Sequence, residues 1–269
     1  LEPRGKFLVL KRILELEGLS PKDCVVIVDD RNNAPMLFQG MVKIGYNPDF
    51  VIRLKADHVV TRGLKEILSA IDGEKPKRQT FPSMNEVFRE IIHACGVTVP
   101  ILSSFFGLYA IALLIVAVTF LYAFSETAMM EGKHIPLIHS ITRHAATHAE
   151  LHGFAASPIF FALGILLTLL LFPAATSNAA IAIFALGDST ASIFGSLFGK
   201  KALPFNKGKT LEGLIFGFFF GFLAAAFFTD SLKALVGAAV AMLVEGLPLP
   251  VNDNLVVPLA AAVTLAVMA

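Results

Sequence analysis

The chain has 269 residues, of which 55% are hydrophobic and only 16% charged, with a formal net charge of +1 and a mean hydropathy of +0.71. That composition belongs to membrane proteins, and a near-neutral balance without a dense basic face excludes a nucleic-acid binder. Most of the charge lies ahead of Arg89, so the expected organisation is a soluble piece (1–73), a charged linker (74–82) and a membrane piece (83–269). The fold class read from this is mostly α: a polytopic transmembrane helical bundle preceded by a partial α/β, Rossmann-like segment. Cys24 and Cys95 stand in unlike contexts, which predicts no disulfide and a reducing compartment. The first residue is Leu and no charged-then-apolar leader precedes residue 90, so no signal peptide is expected and the chain reads as cut from something longer.

In chain order, Gly5 to Glu17 has apolar residues at Leu8, Leu10, Ile13, Leu14 and Leu16, close to helical spacing, and stops at Gly18. Cys24 to Val28 is a short β-branched run followed by Asp29 and Asp30, as in a buried parallel strand with acids at its carboxyl end. Ala34 to Gly40, Val42 to Gly45, His58 to Val60 and Gly63 to Ile71 then read as helix, strand, strand and helix. Glu74 to Pro82 is a charged, proline-bounded linker. Ser83-x-x-Glu86 forms a capping box ahead of Val87, Phe88, Ile91 and Ile92, which predicts an interfacial helix feeding the bilayer.

Apolar runs follow at 94–124, 154–172, 179–198, 211–228, 235–249 and 255–268. A spanning helix needs about 20 residues, and only the first run is ambiguous between one span and two bent near Pro100, Ser103, Ser104 and Gly107. The positive-inside rule puts the Lys200 to Lys209 loop on the cytosolic side with the soluble segment. Parity then favours a hairpin or re-entrant pair in that first run. The loop Ser125 to Gly153 holds Arg143, Glu150 and five histidines, of which His144, His148 and His152 share a helical face. Metal binding and a polar interfacial face are both compatible with them.

The stretch Ala185 to Gly213 carries the chemistry. Asp188 is a lone carboxylate inside an apolar run, and Lys200, Lys201, Lys207 and Lys209 follow it. An ionisable group at membrane depth marks function by default. One acid for a divalent cation and several bases for phosphates make the inventory of phosphoryl or nucleotidyl transfer. Lys207 and Lys209 are bracketed by Asn206, Gly208 and Thr210, where backbone N–H groups can approach phosphate oxygens. A P-loop reading of Lys207 to Thr210 fails, because Leu203 stands where the first glycine belongs.

GDSTASIFGSLFG (Gly187 to Gly199) followed by LPFNKGKTLEG (Leu203 to Gly213) resembles the polytopic CTP-dependent lipid kinases, namely dolichol kinase, phytol kinase and CTP-dependent diacylglycerol kinase, which lie near the phosphatidate cytidylyltransferases. FREIIHACG is similar to that family's basic-x-x-x-His opening, with Arg89 and His93 matching and Glu90 where a second base is more usual. Ser125-Glu126 resembles its next marker, and EGLPLPVNDNLVVPL its closing acidic and Asp-Asn motif, with Asn252 in place of one acid. The resemblance covers about Met84 to Ala269. It implies an integral-membrane enzyme that transfers the γ-phosphoryl of CTP to a polyprenol- or dolichol-type alcohol, with its active face cytoplasmic and Mg²⁺ or a similar cation as cofactor. The residues implied as catalytic are Asp188, Lys207, Lys209 and Asp253, with Asp188 and Asp253 on the metal. Gly187, Asn206, Gly208, Thr210, Arg89, His93, Glu245 and Asn254 would line the nucleotide. The alternatives are a CTP:phosphatidate cytidylyltransferase-like enzyme, a transporter, for which no internal repeat is found, and a membrane-anchored phosphatase.

The last alternative arises because residues 1–73 resemble the C-terminal half of a haloacid-dehalogenase-type (HAD) phosphatase of the phosphoserine phosphatase kind. Lys6 falls where that family has its phosphate-neutralising lysine, and VDDRNNAPML aligns with its metal loop. Asp29 matches the metal acid and Asp30 offers an alternative second one, while Asn33 replaces the expected second acid. The half with the nucleophilic Asp-x-Asp pair is absent from the sequence, so an upstream HAD half is an expected partner and the segment reads as a relic.

Overall fold

The computed structural model describes residues 3–37, 40–60, 67–68, 71, 81–130 and 154–269. Two units emerge: residues 1–78 with Ala202–Gly208, and residues 79–201 with Lys209–Ala269.

In the first unit, helix α1 (Pro3–Glu17) ends at Gly18, whose φ of +63° is the left-handed stop expected there. The helix exists as predicted, but of the five apolar positions only Leu14 is fully buried; Leu8, Ile13 and Leu16 are exposed. Strands β1 (Val25–Val28), β2 (Val42–Tyr46) and β3 (His58–Val60) form a parallel sheet in the order β1-β2-β3, with Val25 opposite Val42 and Ile44 opposite His58. The helix expected over Ala34 to Gly40 is instead a 3-10 turn over Arg31–Met36. Asp30 caps it through Asn33 N–H, and Pro35 inside it lacks the donor that an α-helical ladder needs. A short helix absent from the sequence reading, α2 (Phe50–Lys55), joins β2 to β3 behind the Asp49 cap. The expected helix at Gly63 to Ile71 and the linker Glu74 to Pro82 lie largely outside the described residues.

The second unit is helical: α3 (Met84–Cys95), α4 (Thr98–Phe106), α5 (Leu108–Met130), α6 (Ser157–Leu171), α7 (Ala174–Phe198), α8 (Leu211–Ala225), α9 (Ser231–Gly246) and α10 (Asp253–Val267). The capping box of α3 is made as read: Ser83 Oγ accepts from Glu86 N–H and Glu86 returns to Ser83 N–H. The first apolar run does not form a two-crossing hairpin. Gly107, at φ +87°, breaks it into α4 of 9 residues and α5 of 23. At 1.5 Å per residue α4 rises only about 14 Å, against about 30 Å of hydrocarbon, whereas α5 is long enough to cross. Of the two forms expected for this run, a hairpin of two spans and a re-entrant pair, the short α4 suits the re-entrant one. Among the described residues, two helices, α5 and α7, have the length and apolarity to span a membrane. Tyr109, Leu113, Phe120 and Phe124 of α5 are exposed, an apolar surface that suits lipid rather than water. The histidine-bearing loop, including His144, His148 and His152, lies outside the described residues.

Helix α7 is the hub, packing against α3, α4, α6, α8, α9 and α10. Its stretch Ala179 to Ala185 is completely buried. Helix α8 lies against it at backbone contact: a Cβ at Gly217 would stand 2.7 Å from Gly187 O and 2.5 Å from Met242 Sδ. Small residues thus do for α7 and α8 what they do in membrane helix pairs generally. Gly187, expected on the nucleotide, is buried in this contact. Gly217→Val is expected to cost about 2–3 kcal/mol, because the facing backbone oxygen cannot rotate away. Thermal unfolding of the detergent-solubilised chain checks this, and an unchanged midpoint would mean that the helices part without penalty.

Candidate functional site

Two charged clusters lie in the helical unit. The first joins α3 to the middle of α7. Glu90 and His93 are three residues apart and share the face of α3 that meets α7, where Asp188 and Ser192, four apart, answer them. His93 Nδ1 lies 3.0 Å from Asp188 Oδ2. Ser192 Oγ donates to Glu90 Oε1 at 2.9 Å, and Arg89 donates to the same oxygen through Nε at 3.2 Å and Nη2 at 2.8 Å. Phe161 of α6 stacks on the His93 ring at 4.4 Å between centroids. Glu90, His93 and Asp188 are all buried, and one ligand atom from each falls within 4.8 Å of the others.

The second cluster joins Lys209 to the ends of α9 and α10. Lys209 Nζ donates to Glu245 Oε1 and, at 3.2 Å, to Asp253 Oδ2. Glu245 is 2% exposed, near the end of α9, and Asp253 is the first residue of α10. Burial disfavours the Lys209 ammonium, but the carboxylates of Glu245, Asp253 and Asp188 outweigh it and hold the group above the ordinary lysine range. The stabilisation from this raised value is therefore complete below the free-lysine pKa of about 10.4 and is lost only as pH climbs through the higher folded value.

The structure thus brings together Arg89, His93 and Asp188 in one cluster and Lys209, Glu245 and Asp253 in the other. Lys207 is occupied elsewhere: in the first unit, its ammonium donates to the carbonyls of Ala56 (2.7 Å) and Asp57 (3.0 Å). Thr210 is the N-cap of α8, accepting from Gly213 N–H, and Asn252 caps α10, accepting from Asn254 N–H. Asn254 is buried, its Nδ2 3.4 Å from Ser157 O. Asn206 is buried and Gly208 exposed. Glu126 is buried and accepts from Ala155 N–H, so the Ser125-Glu126 marker anchors the start of α6. Sequence reasoning gave no role to Glu90 or Ser192. Their signal was spacing, three residues before His93 and four after Asp188.

In the first unit, Lys6 Nζ donates to Asn33 Oδ1 (2.9 Å) and Asn33 Nδ2 donates to Asp29 Oδ1 (3.1 Å). Lys6, Asn33 and Asp29 therefore form one chain at the carboxyl end of β1, with Asp30 serving as the cap beside them. Cys24 and Cys95 are both free.

Removing the ammonium from the second cluster leaves a buried carboxylate without its counter-charge. Lys209→Met is expected to lose about 2–3 kcal/mol, less than for a fully buried pair because Lys209 is half-buried. Lys209→Met combined with Glu245→Leu should recover most of that loss in a denaturation double-mutant cycle. Simple additivity of the two changes would show that the pair is not coupled.

A family model described as the cytidylyltransferase family matches residues 37–268, starting inside the α/β unit, well before Met84. Phytol kinase 1, chloroplastic, from Arabidopsis thaliana is 31% identical over 143 residues, covering 46% of this chain and 46% of that protein. The chain thus spans less than half the length of this curated relative. No solved structure matches. Because the family match takes in both charged clusters and nearly all of the helical unit, the chain belongs to the cytidylyltransferase family.

Proposed function

We propose that the chain is a polytopic integral-membrane lipid kinase that transfers the γ-phosphoryl of CTP to a long-chain prenyl alcohol of the polyprenol or dolichol type. The observation that carries this reading is the Lys209 ammonium held between Glu245 and Asp253 in a largely apolar bundle. A cation stored against acids is available to phosphate oxygens, and acids beside it suit a hydroxyl proton or a metal. The similarity to a phytol kinase supports an alcohol acceptor.

In the transfer, the lipid hydroxyl oxygen attacks the γ-phosphorus, the bond to the β-bridging oxygen breaks, and CDP leaves. Lys209 meets the charge on the transferring group. Glu245 or Asp253 orients the hydroxyl and accepts its proton. Arg89, His93, Thr210 and Asn254 remain assigned to nucleotide binding. The acids fit a divalent cation: Glu245 Oε2 is buried with no hydrogen-bond partner among the described residues, a lone pair that a metal would satisfy. Mg²⁺ or a similar ion, held by Asp188 with Asp253, would supply neutralisation of phosphate charge. The α/β unit is assigned to a HAD-type relic on the strength of its parallel sheet and the Lys6–Asn33–Asp29 chain, with an upstream HAD half as its complement.

A second reading, cytidylyl transfer to a lipid phosphate, is favoured by the family's description. Purified chain given CTP labelled at the α- or γ-phosphate and a panel of lipid alcohols and lipid phosphates separates the two. The kinase moves the γ-label to lipid and releases CDP. Transfer of the α-label with release of pyrophosphate would sink the kinase reading.

Asp188→Asn keeps the volume and hydrogen bonding of the side chain but removes its charge. Activity is expected to fall at least a hundredfold while stability holds; near-parent turnover would remove Asp188 from the reacting centre. Lys200, Lys201, Lys207 and Lys209 support a cytosolic active face. A cysteine placed at exposed Gly208, in a background lacking Cys24 and Cys95, should then react with an impermeant thiol reagent from the cytosolic side. Reaction from the opposite side would reverse the orientation.

A further inference from the structure

We infer that Glu90, His93 and Asp188 form a three-ligand site for a divalent transition ion of the Mn²⁺ kind, built between α3 and α7 and formed without nucleotide. The proposal rests on the kinase reading only for what the ion would do; its binding is a property of these side chains.

Three observations carry it. One ligand atom from each residue lies within 4.8 Å of the other two. The 3.0 Å between His93 Nδ1 and Asp188 Oδ2 is also about the separation of two neighbouring ligands on one ion with bonds near 2.1 Å. A metal can take the place of the proton that this pair shares. Second, Glu90 is 3% exposed, and while its Oε1 accepts from Arg89 and Ser192, its Oε2 is buried with no hydrogen-bond partner among the described residues. Such an orphan is costly unless something binds it. Third, the ligands are positioned from outside the cluster: Arg89 and Ser192 hold one oxygen of Glu90, and Phe161 stacks on the imidazole. Outer contacts of this kind are what orient metal ligands.

The donor set decides the ion. Mg²⁺ favours oxygen ligands and octahedral water, whereas one imidazole with two carboxylates suits a divalent transition ion, for which Mn²⁺ is the paramagnetic probe. This ion would sit on α3 with Glu90 and His93, apart from the Mg²⁺ assigned to Asp188 with Asp253. Asp253 already serves Lys209. Glu90, which stands where the lipid-kinase resemblance has a second base, becomes a ligand, and the neighbouring Arg89 retains a cationic fork able to face an anion beside the metal.

The test uses the full chain in nanodiscs with Mn²⁺ alone, without CTP or lipid alcohol, read by electron paramagnetic resonance. One tightly held Mn²⁺ per chain with a nitrogen-14 coupling is expected, and the coupling should vanish in His93→Asn. Glu90→Gln should weaken binding at least tenfold, Asp253→Asn should change it less than twofold, and a hundredfold excess of Mg²⁺ should fail to displace the ion. Absence of bound Mn²⁺ or of nitrogen coupling in the unmodified chain overturns the site, whatever the variants do. So does a coupling that survives His93→Asn, or an affinity that depends on Asp253 and not on Glu90. A chain that binds Mn²⁺ as expected yet moves no phosphoryl group from CTP overturns the kinase reading and leaves the site standing.

Discussion

A carboxylate in the middle of an apolar helix has to be matched by something equally buried, and the helical unit is arranged around meeting that requirement for Asp188. Helix α7 is surrounded by six other helices, so water cannot do the matching. Helix α3 supplies His93 directly, and with it Glu90, which needs Arg89 and Ser192 in turn. The cost of leaving any one of these charges unpaired inside the bundle is several kcal/mol. That penalty ties α3 to α7 more specifically than apolar packing, which tolerates sliding and rotation, could.

The same constraint operates at the ends of α9 and α10. Glu245 is buried at the end of one helix, Asp253 begins the next, and Lys209 reaches both from the loop ahead of α8. Helix α8 is brought close to α7 by Gly217 and its neighbours, and Thr210 caps its start. Close glycine packing and a capped helix therefore position Lys209 against Glu245 and Asp253. A polar centre of this kind is a poor investment in stability alone, because well-packed apolar residues could replace it without loss. Its presence in a bundle of mostly apolar and small residues is what makes a chemical role the economical explanation.

The α/β unit follows a different logic. Its sheet is small and parallel, and its acids sit at the carboxyl end of β1, where open α/β sheets place their ligands. Lys6 reaches the same place from α1 through Asn33. The family match beginning at Leu37 includes much of this unit, which a resemblance starting near Met84 did not anticipate.

Much of the architecture was legible in the order of residues because it depends on local periodicity. Apolar runs of about the right length gave α6 to α10 to within a few residues, Ser83 and Glu86 announced α3, and β-branched runs gave all three strands. Local conflicts were harder: Pro35 turned an expected helix into a 3-10 turn, and Gly107 split an apolar run unequally, with consequences for counting crossings. Asp188, His93, Lys209, Glu245 and Asp253 could each be singled out as unusual, since an ionisable residue in an apolar context is conspicuous in a single chain of letters. Which of them meet is a different matter. The pairing of His93 with Asp188, of Glu90 with Ser192 about a hundred residues away, and of Lys209 with Glu245 depends on which helix faces are apposed. That was decided only when backbone contact at Gly217 and the exclusion of water set each buried charge against a neighbour able to neutralise it.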